Sequence, residues 1–97
     1  MVKFINPHPG EILHDILEEM EISAYRLAKE TGVPSPNIYD IISRKRGISA
    51  EISARFGRFF EQSDSFWLNL QNEYDLRNIE HNREKELKEI KSYKQVV

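Results

Sequence analysis

The chain has 97 residues, no cysteine and a formal net charge of −2. A chain of this length folds as one domain, because it can bury only about two-thirds of its unfolded surface around a single core. The lack of cysteine excludes disulfides and thiolate metal sites. No signal-peptide pattern is visible and no apolar run approaches the roughly 18 residues of a membrane helix, so we expect a cytoplasmic protein without a membrane partner.

Charge is distributed unevenly along the chain. Residues 1–22 carry one lysine against five acids, residues 23–58 carry seven basic residues against three acids, and residues 59–97 carry six against eight. The three net charges are therefore −4, +4 and −2. Because phosphate groups respond to the local field of a surface and not to the sum over the chain, the middle third is the part suited to nucleic acid.

Hydrophobic spacing predicts five helices and no strand. The first helix is expected to begin at Pro9, since proline suits the first helical position. Ser23 is a good N-cap for the second helix, and Gly32 tolerates the positive φ that ends it. Ser35 is predicted to cap the third helix, with Pro36 as its first helical residue.

The last two helices and the tail are predicted from similar signals. Ser49 can cap a fourth helix, and Ser63 can cap a fifth helix that begins with Asp64. Towards the C-terminus the apolar residues thin out among charged ones. We therefore predict a domain over residues 1–78 and a charged helical tail over residues 79–97.

The segment over residues 23–43 predicts two short helices that meet at a tight turn. One small residue lets the helices approach, a glycine turns the chain, and two isoleucines anchor the second helix on the core. These structural positions are Ala28, Gly32, Ile38 and Ile41. In a helix-turn-helix motif the second helix lies in the major groove of DNA, where its early residues reach the base edges.

The spacing of Ala28, Gly32 and Ile38 resembles the XRE or phage-repressor branch of the helix-turn-helix family. A more specific resemblance, to the HigA-type antitoxins of bacterial toxin-antitoxin operons, covers about residues 4–80. It is carried by four segments: NPHPGEIL at 6–13, SAYRLAK at 23–29, KRGIS at 45–49 and FWLNLQN at 66–72.

The resemblance implies an all-α fold, namely a five-helix, XRE-type (lambda-repressor-like) helix-turn-helix DNA-binding domain with a C-terminal helical extension. It also implies a homodimer that binds double-stranded operator DNA in its own promoter and neutralises a small HigB-type, RelE-like toxin that cleaves mRNA. No cofactor is implied. Carried over by position, the candidates for base contacts are Ser35, Asn37 and Tyr39, and those for phosphate contacts are Ser23, Ser43, Arg44, Lys45 and Arg46.

The sequence departs from the family pattern in the recognition helix and at three other positions. At the start of that helix, Ser35, Pro36 and Asn37 are short or cannot donate from the backbone, which predicts sparse base readout. Asp40 adds a negative charge on the groove side. Arg44 and Glu61 stand where the family usually has a glycine after a helix, so we expect these helix ends to avoid the left-handed conformation. Gly57 lies inside the fourth helix, where alanine is common, at a cost of roughly 0.8 to 1 kcal/mol.

Two other functions fit the same residues: a stand-alone XRE-type repressor without a toxin partner, and a protein-interaction module that has lost DNA binding. His14 and Glu18 lie four residues apart, as two metal ligands can, but no third ligand is evident, so we expect no metal site. We also expect no enzymatic activity. The chain lacks cysteine, a histidine spaced from a nucleophile in any catalytic motif, and a glycine-rich phosphate loop.

Overall fold

The computed structural model describes residues 3–96, which form helices and no strand. The predicted all-helical fold is therefore confirmed for the described residues. In chain order the helices are α1 (Pro9–Met20), α2 (Ala24–Thr31), α3 (Ser35–Ile42), α4 (Ala50–Phe60), α5 (Phe66–Asn82), α6 (Glu84–Lys88) and α7 (Tyr93–Val96). The predicted five correspond to α1–α5, and the extension adds two short helices within the described range. None of these helices is long and apolar enough to cross a membrane.

Helices α1 to α5 surround one hydrophobic core. Every one of them contributes at least one buried side chain, and Ile38 and Ile41 fix the inner face of α3 in this core. Ala28 of α2 is partly buried against it. The core residues are Leu13, Leu17, Leu27, Val33, Ile38, Ile41, Ile48, Ile52, Phe56 and Trp67.

The start of α1 is held by a capping box on His8. The imidazole Nδ1 of His8 accepts a hydrogen bond from the Gly10 N–H at 2.9 Å, and the Glu11 carboxylate accepts from the His8 N–H at 2.8 Å. Pro9 is the first helical residue, as predicted. Gly10 lies directly against the carbonyl group of Ile41, so α1 crosses α3 at a point that has no room for a Cβ.

Two of the predicted N-caps are confirmed. The Ser23 hydroxyl oxygen accepts a hydrogen bond from the Arg26 N–H at 3.0 Å, and the Ser49 hydroxyl oxygen accepts from the Ile52 N–H at 3.2 Å. These bonds satisfy backbone donors that the first turns of α2 and α4 leave open.

The predicted starts of α3 and α5 are wrong by one and two residues. Helix α3 begins at Ser35 with Pro34 as N-cap, because the Pro34 carbonyl already accepts the first helical hydrogen bonds, at 2.9 and 3.3 Å. Helix α5 begins at Phe66, with no side-chain cap. Asp64 lies outside α5, and its carboxylate accepts two hydrogen bonds from Arg58 of α4 at 2.8 and 3.0 Å.

Within residues 3–96, three residues other than glycine lie in the left-handed region. Glu21 (φ 56°) and Glu61 (φ 58°) are the C-caps of α1 and α4, and Arg44 (φ 67°) follows the Ser43 C-cap of α3. The expectation that Arg44 and Glu61 avoid this conformation is wrong. Schellman-type hydrogen bonds impose it: the Lys45 N–H donates to the Asp40 carbonyl at 2.8 Å, and the N–H after Glu61 donates to the Gly57 carbonyl at 2.7 Å. The structure therefore accepts the steric cost of a Cβ at these positions.

The tail continues from α5 without a break at position 78, since α5 ends only at Asn82. Residues 81–96 are exposed along their whole length. The division of the chain at residues 78 and 79 stays a prediction.

Candidate nucleic-acid interface

The turn between α2 and α3 sets the orientation of α3. Gly32 ends α2 with a φ of 77°, which a residue without a Cβ adopts at little cost. Val33 is buried in the turn, and the inner face of α3 is anchored on the core. The opposite face is therefore presented outward: Tyr39 is 56% exposed, and Ser35 and Asn37 are half-buried.

A polar cleft of about 270 Å³ opens between the start of α3 and the start of α4. It brings together Asn37 of α3, Arg46 of the basic loop (residues 44–47) and Ser49. Arg55 also lines this cleft, but its guanidinium is already bonded within the protein. It donates to the Thr31 carbonyl at 2.8 Å and pairs with the Glu51 carboxylate at 3.2 Å. A base-contact candidate and a phosphate-contact candidate thus share one cavity.

The structure places Arg44 on a different side of the protein. Its guanidinium pairs with the Glu11 carboxylate at 3.4 Å and lines a depression at the start of α1. The loop turns sharply at Arg44, because this residue has a positive φ. Arg44 and Arg46 are therefore separated, although only one residue lies between them.

The remaining candidates lie at the edges of the α2–α3 unit. Ser23 and Tyr39 line one groove of about 420 Å³, with an apolar floor from α1 and α3. Lys45 is exposed in the basic loop. Ser43 is exposed too, and its hydroxyl donates to the Asp40 carbonyl at 3.3 Å. Because the Ser23 oxygen accepts the capping bond, its O–H stays available as a donor.

The geometry adds Tyr25, Lys29 and Ser49 to the candidates for contact with DNA. Tyr25 and Lys29 of α2 lie beside Ser35 in a depression of about 330 Å³, and Ser49 joins the cleft of Asn37. Tyr25 and Lys29 are four residues apart, which places them on one helical face. The sequence spacing of Tyr25 and Lys29 could therefore have predicted that they lie together, whereas the position of Ser49 depends on how the basic loop folds.

No group of three or more metal-ligating side chains is found in residues 3–96. His14 and Glu18 do approach each other, at 3.4 Å, on the exposed surface of α1.

A short helix, a glycine turn and a second helix with an exposed outer face beside a basic loop define a helix-turn-helix DNA-binding protein. No protein-family model matches the chain. Its sequence is 40% identical over 78 residues to virulence-associated protein I of Dichelobacter nodosus. The aligned segment covers 79% of this chain and 72% of that relative.

Solved structures give closer matches in length. An addiction module antidote protein of the HigA family from Coxiella burnetii has a TM-score of 0.87 at 35% identity, over 93% of this chain and 100% of its own. The Pseudomonas aeruginosa antitoxin HigA, solved with the higBA promoter, has a TM-score of 0.84 at 42% identity, over 92% of this chain and 99% of its own. The chain belongs to the HigA family of helix-turn-helix antitoxins. These two structural relatives carry the names antidote and antitoxin, and a further sequence relative from Escherichia coli is an HTH-type transcriptional regulator.

Proposed function

We propose that this chain is the antitoxin of a HigB/HigA-type system and the dimeric repressor of its own operon. The observation that carries the proposal is the match to an antitoxin solved with its promoter, at 42% identity over 92% of this chain. The cleft that joins Asn37 to Arg46 supports it from the structure itself.

In this proposal, α3 enters the major groove and the basic loop meets the DNA backbone. Ser35, Asn37 and Tyr39 face the base edges, while Arg46, Lys45, Ser23 and Ser43 contact phosphates. Pro36 cannot donate a backbone hydrogen bond and Asp40 repels phosphate, so affinity depends more on the basic loop than on base readout. Arg44 contributes less than Arg46, because Glu11 already neutralises it in part.

A homodimer is proposed because operators of this class have two half-sites about one helical turn apart. Helix α5 carries two exposed apolar side chains one turn apart, Leu76 (60% exposed) and Ile79 (47% exposed). Exposed apolar residues that lie on one face of a helix suit a contact between copies. We propose that this face of α5 contributes to the dimer.

Toxin neutralisation uses an acidic surface that adjoins the proposed DNA surface, since Glu18 and Glu21 line the same groove as Ser23 and Tyr39. An enzyme that cleaves mRNA presents positive charge to its substrate, and residues 1–22 of this chain carry a net charge of −4. Glu18, Glu19 and Glu21 are exposed at the end of α1. We propose that this acidic surface faces a HigB-type, RelE-like toxin, which places both proteins in the cytoplasm.

The first experiment is a mobility-shift titration of the protein against its own upstream DNA, at two salt concentrations and with an unrelated duplex as competitor. Specific binding that weakens with salt is expected. Lys45→Ala/Arg46→Ala is expected to weaken binding to every duplex and to reduce the salt slope. Absence of specific binding would instead favour an interaction module that has lost DNA binding.

The toxin is tested separately, by expressing the protein encoded next to this gene with and without the antitoxin. Growth arrest that this chain relieves supports the antitoxin function. Operator binding together with a harmless neighbour would point to a stand-alone repressor.

A further inference from the structure

One residue of α5 reaches the basic loop from outside the helix-turn-helix. Gln71 is only 8% exposed, and its Oε1 accepts a hydrogen bond from the Ile48 N–H at 2.8 Å. Its side chain also lies against Gly47, where a Cβ would come within 2.9 Å of the amide group. Gln71 therefore contacts both residues that follow Arg46.

We propose that Gln71 is a positioning residue for DNA binding, which anchors the end of the basic loop to α5 and so directs Arg46 into the cleft with Asn37. This inference rests on the proposed function. The start of the loop is fixed independently, because the N–H groups of Lys45 and Arg46 donate to the Asp40 carbonyl at 2.8 and 3.2 Å. Arg46 thus lies between two anchors, of which Gln71 is the one outside the motif.

Asp75 holds the Gln71 amide in the required orientation. The carboxylate of Asp75 accepts from Gln71 Nε2 at 3.0 Å, one turn further along α5. With the amide nitrogen engaged in this way, its oxygen must face the Ile48 N–H, whereas a flipped amide would set two donors against each other. The Asp75–Gln71–Ile48 chain of hydrogen bonds therefore transmits the position of α5 to the loop.

The anchor has a consequence for recognition of two half-sites. Leu76 and Ile79, the proposed dimer face, lie on the same helix as Gln71. A rigid connection from that face to the basic loop fixes the separation of the two loops in a dimer. Loosening the anchor is then expected to weaken operator binding even though Gln71 itself touches no DNA.

The test uses the full chain with Gln71→Leu, and with Asn72→Leu as a matched control at the exposed neighbouring position. For Gln71→Leu we expect an operator Kd raised about tenfold and a salt slope reduced by about two, which is the loss of one phosphate contact in each protomer of the dimer. Asn72→Leu is expected to leave both unchanged. Thermal unfolding confirms that each variant is folded at the assay temperature.

A rescue variant separates positioning from general stability. Gln71→Glu/Asp75→Asn keeps the net charge and both hydrogen bonds, with the donor and acceptor between positions 71 and 75 exchanged. Its Kd is expected to return to within about threefold of wild type and its salt slope to the wild-type value. In an Arg46→Ala background, Gln71→Leu is expected to raise the operator Kd little further, because the contact that Gln71 positions is already absent.

Three results would overturn the inference: a folded Gln71→Leu variant with wild-type Kd and salt slope, failure of the rescue variant to restore binding, or full additivity with Arg46→Ala. Hydrogen exchange at the Ile48 amide provides a readout without DNA. Protection of this amide should fall in Gln71→Leu and not in the Asn72→Leu control. If wild type binds no operator while this protection behaves as expected, the proposed function fails and the anchor stands. Unchanged protection refutes the anchor directly.

Discussion

A Cβ atom added at Gly57 would lie 2.5 Å from the carbonyl oxygen of Ser63. The chain after α4 turns back over this buried glycine, and the Gln62 N–H bonds to the Gly57 carbonyl at 2.7 Å. Close backbone contact, and not tolerance of a weak helix former, therefore explains a glycine in the middle of α4.

Helix propensity and packing predict opposite signs for Gly57→Ala. Propensity alone gives a gain of roughly 0.8 to 1 kcal/mol, whereas overpacking against a backbone oxygen costs about 2 kcal/mol. We expect net destabilisation by about 1 kcal/mol in urea unfolding, with the exposed Asn72→Ala within about 0.5 kcal/mol of wild type. A more stable Gly57→Ala variant would show that the loop over residues 62–63 moves freely.

This glycine illustrates which features could be predicted from sequence. The N-caps Ser23 and Ser49 and the turn at Gly32 depend on a few neighbouring residues, and the structure has them where expected. The close approach at Gly57 and the pairing of Asp64 with Arg58 depend on how α4 and α5 pack. Contacts of that kind leave no periodic signal in the chain.

The candidate site also has features that local sequence predicts and features that depend on the fold. Asn37 and Arg46 were predicted separately from position, and the fold places them in one cleft. Arg44 was predicted in the same group, but a positive φ directs it towards Glu11. Charge along a loop predicts that a basic surface exists, whereas the backbone conformation decides which of its side chains share a cavity.

Glu61 offers a stabilising substitution. It holds a φ of 58° at the end of α4, a conformation that costs a residue with a Cβ about 1 kcal/mol more than glycine. Glu61→Gly is expected to raise the free energy of unfolding by about 0.5 kcal/mol, after the greater freedom of glycine in the unfolded chain is subtracted. Glu61→Ala keeps the Cβ and removes the charge, so it serves as the control and should show no such gain. Equal gains in both variants would assign the effect to charge.

His8 should make folding sensitive to acid. Burial lowers the pKa of His8 below its ordinary value of 6.5, against the opposing carboxylate of Glu11. The unfolded chain therefore takes up a proton at His8 before the folded chain does, and stability falls as the pH drops below 6.5 towards the folded pKa. Protonation of Nδ1 also removes the acceptor for the Gly10 N–H.

The control for this prediction is His8→Asn, which keeps a capping acceptor and does not titrate. Urea unfolding of both proteins between about pH 7.5 and about pH 5 should show a steeper loss in wild type. Parallel curves would mean that His8 titrates alike in both states. The variant is expected to be less stable throughout, since it loses the edge contact of His8 with Tyr74.

Arg44 and Arg46 provide the sharpest comparison at the interface, because they have the same charge and lie two positions apart. Arg46 lines the cleft with Asn37, whereas Arg44 is paired with Glu11 at 3.4 Å. Arg46→Ala is expected to raise the operator Kd about tenfold and to reduce the salt slope by about two, since one contact is lost in each protomer of the dimer. Arg44→Ala should change both by less than half as much, measured by fluorescence anisotropy over a range of salt concentrations. Equal losses would mean that Arg44 leaves Glu11 when DNA binds, and Glu11→Gln would then tighten binding by releasing it.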